Sequence, residues 1–222
     1  MKRPGICAVI VNEDLAAVKA VEPLVELFEV RLDLIGDGWS ELVGHLTKPW
    51  IACNRSADEG GSWNGEETGR IEQLLKAVEL GADIVDIELE TKDLAGTMSL
   101  IKGRAKCLLS FHEFNGTPSL SRMREIVQRE IDAGADICKL VTTAQSLEDN
   151  QAVLQLIADF PRTSVVSLAM GPLGFASRIL CPLVGGNFTY ASIEQGRESA
   201  PGQLTVRELR KLYDRVQEWK VD

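Results

Sequence analysis

The sequence predicts an α/β protein, a parallel eight-stranded (β/α)8 TIM barrel that uses residues 1–222 as one domain. Three observations point there. Short β-rich runs recur along the chain, and each gap between them is long enough for a helix. A helix-to-strand junction, Gly-Ala-Asp-Ile, occurs twice, at Gly81–Ile84 and Gly134–Ile137. No GxGxxG or P-loop follows the first run, which argues against an open, doubly wound nucleotide-binding sheet.

The strands are predicted at Ile6–Val11, Leu27–Leu34, Trp50–Ser56, Ile84–Leu89, Lys106–Phe111, Ile137–Thr142, Ser164–Ala169 and Phe188–Ser192. Between them, Asp14–Glu26 places Leu15, Val18, Val21 and Val25 at helical spacing. Glu66–Leu80 repeats that period through Ile71, Leu74, Leu75 and Val78. Ser121–Ala133 and Leu147–Phe160 read likewise, while Trp39–Leu46 is a weak, short helix. The last helix opens on the capping box Thr205-Val206-Arg207-Glu208 and ends near Trp219. In the repeated junction the glycine suits the left-handed position just beyond a helix. Strands that alternate with helices pair in parallel through right-handed crossovers.

Composition narrows the function classes. The chain has 222 residues and a formal net charge of −9, which disfavours non-specific binding to nucleic acid or anionic membrane. No segment approaches the apolar length of a membrane span, and the N-terminal run lacks a cleavage site, so a cytoplasmic protein is expected. The five cysteines, Cys7, Cys53, Cys107, Cys138 and Cys181, form no CxxC and sit in apolar runs, as buried free thiols would.

Strands of a parallel barrel are covered on both faces and should be nearly apolar, with chemistry at their C-terminal ends. Polar residues inside them are therefore informative. Phe28–Leu34 alternates charge with apolar residues, so Glu29, Arg31 and Asp33 are expected to share a face turned to the barrel mouth. Lys139 stands in the middle of an apolar strand, where desolvation and nearby cations would leave a neutral amine able to condense with a carbonyl. His112, one of only two histidines, ends the neighbouring strand and could move protons; His45 falls in a surface segment. Arg55 ends the third strand and Glu59 follows in a Gly-rich loop. Asp86 and Glu88 share a face of the fourth strand and read as an internal ion-pair layer; without HxH or HExxH spacing, no metal site is expected. After strand seven, Met170–Arg178 brings an arginine to the mouth, where it could grip a carboxylate; Gly171, Gly174, Gly185 and Gly186 would also permit phosphate. The Pro-Gly loop Glu198–Gln203 could cover the mouth, and Arg31, Arg55 and Arg178 predict a locally cationic opening.

Taken in order, Glu29-x-Arg31-x-Asp33, Arg55-x-x-x-Glu59-Gly60-Gly61, Ser110-x-His112-x-Phe114, Gly134-Ala135-Asp136-x-x-Lys139, Met170-Gly171-x-x-Gly174-x-x-Ser177-Arg178 and Ala200-Pro201-Gly202-Gln203 resemble the type I 3-dehydroquinate dehydratase family over residues 6 to 215. The resemblance implies that Lys139 is the Schiff-base lysine, His112 the proton-transfer residue and Glu59 the acid orienting it. It implies that Arg178 holds the substrate carboxylate, that Glu29, Arg31 and Arg55 surround the hydroxyls and carbonyl end, and that Ser199 and Gln203 reach the substrate from the closing loop. The resemblance also places Tyr190 where the family has an aromatic pocket wall and Met170 among the substrate-binding residues. Two departures stand out: Glu113 where Asp is common, and Val9 where some members carry a polar residue. The family resemblance further implies a homodimer, no cofactor and no metal.

The implied reaction is a syn elimination of water from 3-dehydroquinate to 3-dehydroshikimate. A Schiff-base aldolase or transaldolase, with a phosphorylated substrate, is the competing enzyme class. A catalytically silent barrel that senses a sugar-acid metabolite is the competing binding class.

Overall fold

A computed structural model describes residues 3–218. Its strands are β1 (Ile6–Ile10), β2 (Leu27–Arg31), β3 (Trp50–Cys53), β4 (Ile84–Glu88), β5 (Lys106–His112), β6 (Ile137–Thr143), β7 (Val165–Met170) and β8 (Thr189–Ser192). The helices are α1 (Leu15–Val21), α2 (Leu32–Ile35), α3 (Trp39–Leu42), α4 (Glu67–Glu79), α5 (Leu94–Ile101), α6 (Leu120–Ala133), α7 (Asp149–Asp159), α8 (Phe175–Leu180) and α9 (Val206–Glu218). The predicted end of the last helix near Trp219 lies outside the described residues.

All eight strands are parallel, in the order β7-β6-β5-β4-β3-β2-β1-β8. Among the described residues no ladder joins β7 to β8, so the barrel is nearly closed. Across that seam the Asn187 amide donates to the Val165 carbonyl at 2.9 Å, and the Asn187 side chain donates to Ser164 Oγ at 2.7 Å. Most strand residues are apolar on both faces, because helices cover the outside and side chains fill the inside. Phe28, Ile51, Val85, Leu109 and Leu140 are buried with Val18, Leu74, Met123, Leu156 and Leu209 of the helices in one continuous core.

The local signals act as their chemistry dictates. Gly81 and Gly134 both adopt positive φ, 94° and 90°, just beyond α4 and α6. In the α9 capping box the Thr205 amide donates to Glu208 at 2.8 Å, and the Glu208 amide returns the bond to Thr205 Oγ1 at 3.3 Å. All five cysteines are buried and free.

Two expectations are corrected. Strand β2 ends at Arg31 rather than Leu34, and Asp33 lies in α2. Asp33 still reaches back, because one helical turn folds its carboxylate onto the Arg31 guanidinium at 2.8 and 2.6 Å. Gly185 and Gly186 precede β8, which puts them at the opposite end of the barrel, with Pro4, Pro49 and Lys106. They cannot cradle anything at the mouth. Helix α5 carried no predicted range, since its apolar positions Leu94, Met98 and Ile101 are few and spaced by small residues.

Candidate active site

The C-terminal strand ends surround a cleft whose empty space, open solvent included, is about 560 Å³. Every candidate site residue lines it: Glu29 and Arg31 from β2, Arg55 and Glu59 beyond β3, His112 from β5 and Lys139 from β6. Met170, Arg178, Tyr190, Ser199 and Gln203 complete the wall from β7, α8, β8 and the last loop. Cys53 and Phe114 also line it, and neither was singled out for a role. Their signal is the period of two: each stands two residues from a polar pocket residue, Arg55 and His112 respectively.

Lys139 points inward between two carboxylates. Its Nζ is 2.8 Å from Asp86 and 3.6 Å from Glu29, with the Tyr190 ring 4.5 Å away. Strand register explains the approach, since Ser110 of β5 pairs with both Glu88 and Lys139, and Asp86 pairs with Cys53. The expectation of a neutral resting amine is overturned. Burial alone would lower the Lys139 pKa, but the fields of Asp86 and Glu29 outweigh it and raise the value. The resting group is an ammonium. That same ammonium contacts Glu29 and Asp86, two of the three donors, with Cys53, that lie close enough together to share an ion.

Asp86 and Glu88 form the ion-pair layer. Asp86 accepts from Lys139, from Arg55 at 2.7 Å and from Ser110 Oγ at 2.6 Å. Burial pushes the Asp86 carboxyl up, but Arg55 and Lys139 pull it well below its ordinary value. Glu88 accepts from Arg70 and from the Ser56 amide and faces Arg55 at 3.6 Å.

His112 Nδ1 is 2.9 Å from Glu59, which Arg55 also approaches at 3.3 Å. Burial, then Arg55 and Lys139, push the imidazole pKa well below its ordinary value, so the ring is neutral. Burial pushes Glu59 up to about 7, assisted by Glu88 and Asp86 and opposed by Arg55. Ionised Glu59 takes the Nδ1 proton in a hydrogen bond and leaves Nε2 as the unprotonated nitrogen. The loop that carries Glu59 needs Gly61: a Cβ there would sit 2.0 Å from the Arg55 carbonyl. Phe114 stacks on His112, with centroids 6.2 Å apart. Glu113 lies outside the cavity wall and caps the Asn115 amide at 2.9 Å.

The expected cationic opening is narrower than the three arginines suggest. Arg31 is neutralised by Asp33, and Arg55 by Asp86, Glu59 and Glu88. Arg178 alone of the three has no carboxylate partner among the described residues. It donates to the Pro201 carbonyl at 3.1 Å, its Nε is unpaired, and burial lowers its pKa to about 10. It remains charged at neutral pH. The glycine amides beside it are already used, Gly171 by Pro201 at 3.2 Å and Gly174 by Gly171 at 3.1 Å, so no open phosphate cradle adjoins it. Ser199 and Gln203 brace one another: the Ser199 amide donates to Gln203 Oε1 at 2.9 Å and Gln203 Nε2 donates to Ser199 Oγ at 3.0 Å.

A buried inward lysine, a neutral imidazole on a glutamate and an unpaired arginine thus share one barrel mouth. The family model for type I 3-dehydroquinase matches residues 6–219 of the chain. The chain belongs to the type I 3-dehydroquinase family.

Within that family, the chain is 41% identical over 216 residues to a 3-dehydroquinate dehydratase of Dehalococcoides mccartyi, covering 97% of each chain. The 3-dehydroquinate dehydratase structure from Geobacillus kaustophilus is 26% identical, with a TM-score of 0.85 over 99% of this chain and 93% of that one. The type I enzyme from Clostridium difficile, crystallised with covalently modified comenic acid, agrees in fold, with a TM-score of 0.87, 21% identity and coverage of 99% and 94%. The type I 3-dehydroquinases are hydro-lyases, and this chain is an enzyme of that class. Among the described residues, no helix is long and apolar enough to cross a membrane.

Proposed function

We propose that the enzyme dehydrates 3-dehydroquinate to 3-dehydroshikimate through a Schiff base on Lys139, a step of the shikimate route to aromatic amino acids. The observation that carries this reading is the single cavity lined by Lys139, His112 and the unpaired Arg178.

Lys139 rests as an ammonium and must give up its proton before it attacks the C3 ketone; neutral His112 is the base at hand. His112 hands that proton to the carbinolamine oxygen, which leaves as water; an iminium remains and the imidazole is neutral again. Asp86 and Glu29, which hold the resting ammonium, then face the iminium cation and stabilise it. The iminium acidifies the adjacent C2 proton, which His112 removes while Glu59 steadies Nδ1. The enamine expels the C1 hydroxyl, and His112 returns the proton, so one water leaves. A second water hydrolyses the conjugated imine and frees the amine. Arg178 pairs with the substrate carboxylate. Glu29, Arg31 and Arg55 bind the hydroxyl and carbonyl end, Tyr190 and Met170 wall the ring, and Ser199 and Gln203 close over it.

The aldolase reading is less well supported, because the glycine amides near Arg178 are already bonded. The unpaired buried cation suits a carboxylate without needing a backbone cradle. The reading includes a cytoplasmic homodimer; sedimentation of the purified protein tests the assembly.

The deciding experiment is incubation with 3-dehydroquinate and borohydride, followed by mass mapping. The expected adduct lies on Lys139, with rising ultraviolet absorbance in the unreduced reaction. Lys139→Ala should lose the adduct, and His112→Ala should keep it while elimination stalls. Normal turnover by Lys139→Ala would overturn the covalent mechanism.

A further inference from the structure

Arg70 of α4 is fully buried and lies outside the catalytic cavity. All five of its N–H donors are used. Nε and Nη2 grip Glu67 at 2.8 and 2.7 Å, and Nη2 also reaches Thr91 Oγ1 at 3.0 Å. Nη1 donates to the Asn54 carbonyl at 3.1 Å and to Glu88. The Asn54 side chain donates back to the Arg70 carbonyl at 3.3 Å. Helix α4 is thereby tied to the end of β3, where the residues that carry Arg55 and Glu59 begin.

The contacts continue inward. Glu88 accepts from the Ser56 amide at 3.0 Å and faces Arg55 at 3.6 Å. The Ser56 carbonyl accepts the amides of Glu59 and Gly61, at 3.1 and 2.8 Å, which shapes the turn that presents Glu59. Arg55 is then 3.3 Å from Glu59, and Glu59 is 2.9 Å from His112. Nothing in ordinary barrel packing requires an arginine here; a buried guanidinium is costly unless every donor is met. Its Nη1 bonds go to Glu88 and the β3 end, while Nε and Nη2 are held by Glu67 and Thr91.

We infer that Arg70 is a positioning residue that acts through Glu88 and Arg55 to set the Glu59–His112 pair. The inference rests on the catalytic reading of that pair. With Arg70 in place, Glu88 has its own cation and leaves Arg55 shared between Asp86 and Glu59. Without it, Glu88 is a buried anion that draws Arg55 away from Glu59. His112 is faced by Arg55 from the end of β3, Arg31 from β2, Asp86 from β4, Lys139 from β6 and Glu59 from the loop. Withdrawing Arg55 removes a repelling cation from His112 and leaves Glu59 to the imidazole alone. Both changes favour the imidazolium.

Histidine titration by NMR reads this directly in the full chain. There are only two histidines, and exposed His45 serves as the internal reference. Arg70→Met should move the His112 titration up by about one pH unit, with His45 unchanged. Arg70→Met with Glu88→Gln should return it toward wild type, and Arg70→Lys should move it less. Turnover by Arg70→Met should fall roughly 10-fold in kcat with a smaller change in KM. A folded Arg70→Met with wild-type His112 titration overturns the inference. If Arg70→Met does not fold, Glu88→Gln alone decides: it should move His112 downward by releasing Arg55 to Glu59, and no movement overturns the inference. Wild-type protein that fails to dehydrate 3-dehydroquinate counts against the catalytic reading instead, and the titration is still readable.

Discussion

The ammonium of Lys139 lies 2.8 Å from Asp86, and Arg55 together with that ammonium keeps Asp86 ionised. Asp86 also takes Arg55 at 2.7 Å, so one buried carboxylate compensates two cations. Asp86→Asn leaves both with weaker partners. It should cost about 3–5 kcal/mol in chemical denaturation, the usual result of breaking a buried ion pair from one side. The pKa of Lys139 should fall in the same variant, so the rate of borohydride-trapped adduct should extend to lower pH. A denaturation midpoint unchanged from wild type would count against the ion-pair layer.

On the proposed mechanism, Glu59 governs the acid side of the pH profile. With its pKa raised to about 7, it is ionised above that point and protonated below it. Only the ionised form leaves Nε2 of His112 free to accept a proton. The plot of kcat/KM against pH should therefore fall as pH drops through about 7, and Glu59→Gln should lower the plateau and flatten that fall.

The same shift has a sign for stability. The folded-state pKa of Glu59 lies above its ordinary value of 4.5, so the protonated form favours folding. That contribution is complete below about 4.5 and is lost as pH rises through about 7. Glu59→Gln should gain melting temperature relative to wild type on moving from pH 5 to pH 8. Thermal scans at the two pH values check it.

On the proposed reading, Arg178 trades stability for binding. Its buried charge has no carboxylate partner among the described residues, so Arg178→Met should stabilise the free enzyme by about 1 kcal/mol. The variant should also raise KM by about 10²-fold through loss of a charge-assisted carboxylate bond. Melting temperature and steady-state kinetics on one preparation test both halves.

Gly61 sets how closely the Glu59 loop folds onto β3. A Cβ at Gly61 would meet the Arg55 carbonyl at 2.0 Å, against backbone that cannot step aside without moving Glu59. Gly61→Ala should cost about 1–3 kcal/mol and reduce kcat with little loss of lysine trapping.

Much of this site is legible in the sequence because barrels penalise polar residues in strands. Glu29, Arg31, Lys139 and His112 stand out against apolar neighbours, and all of them line the cavity. Asp33 was misplaced because alternation continues smoothly from β2 into α2, and nothing in Phe28–Leu34 marks where extended backbone becomes helix. The charge of Lys139 was misjudged for a different reason. Desolvation can be inferred from an apolar strand, but the two carboxylates that oppose it come from β2 and β4, distant in sequence. Arg70 was illegible, since an arginine in an amphipathic helix reads as surface until its partners are seen.

The seam between β7 and β8 makes the barrel a split ring. Seven strand junctions are laced by ladders, while this one is held by backbone and side-chain bonds from Asn187 near its lower rim. A split ring strains least by opening at its gap. Met170 stands on one lip and Tyr190 on the other, with Arg178 on the helix that spans them. Compliance is thereby concentrated on the side that carries Arg178, while the laced arc from β2 to β6 keeps Lys139, Asp86 and His112 in fixed register.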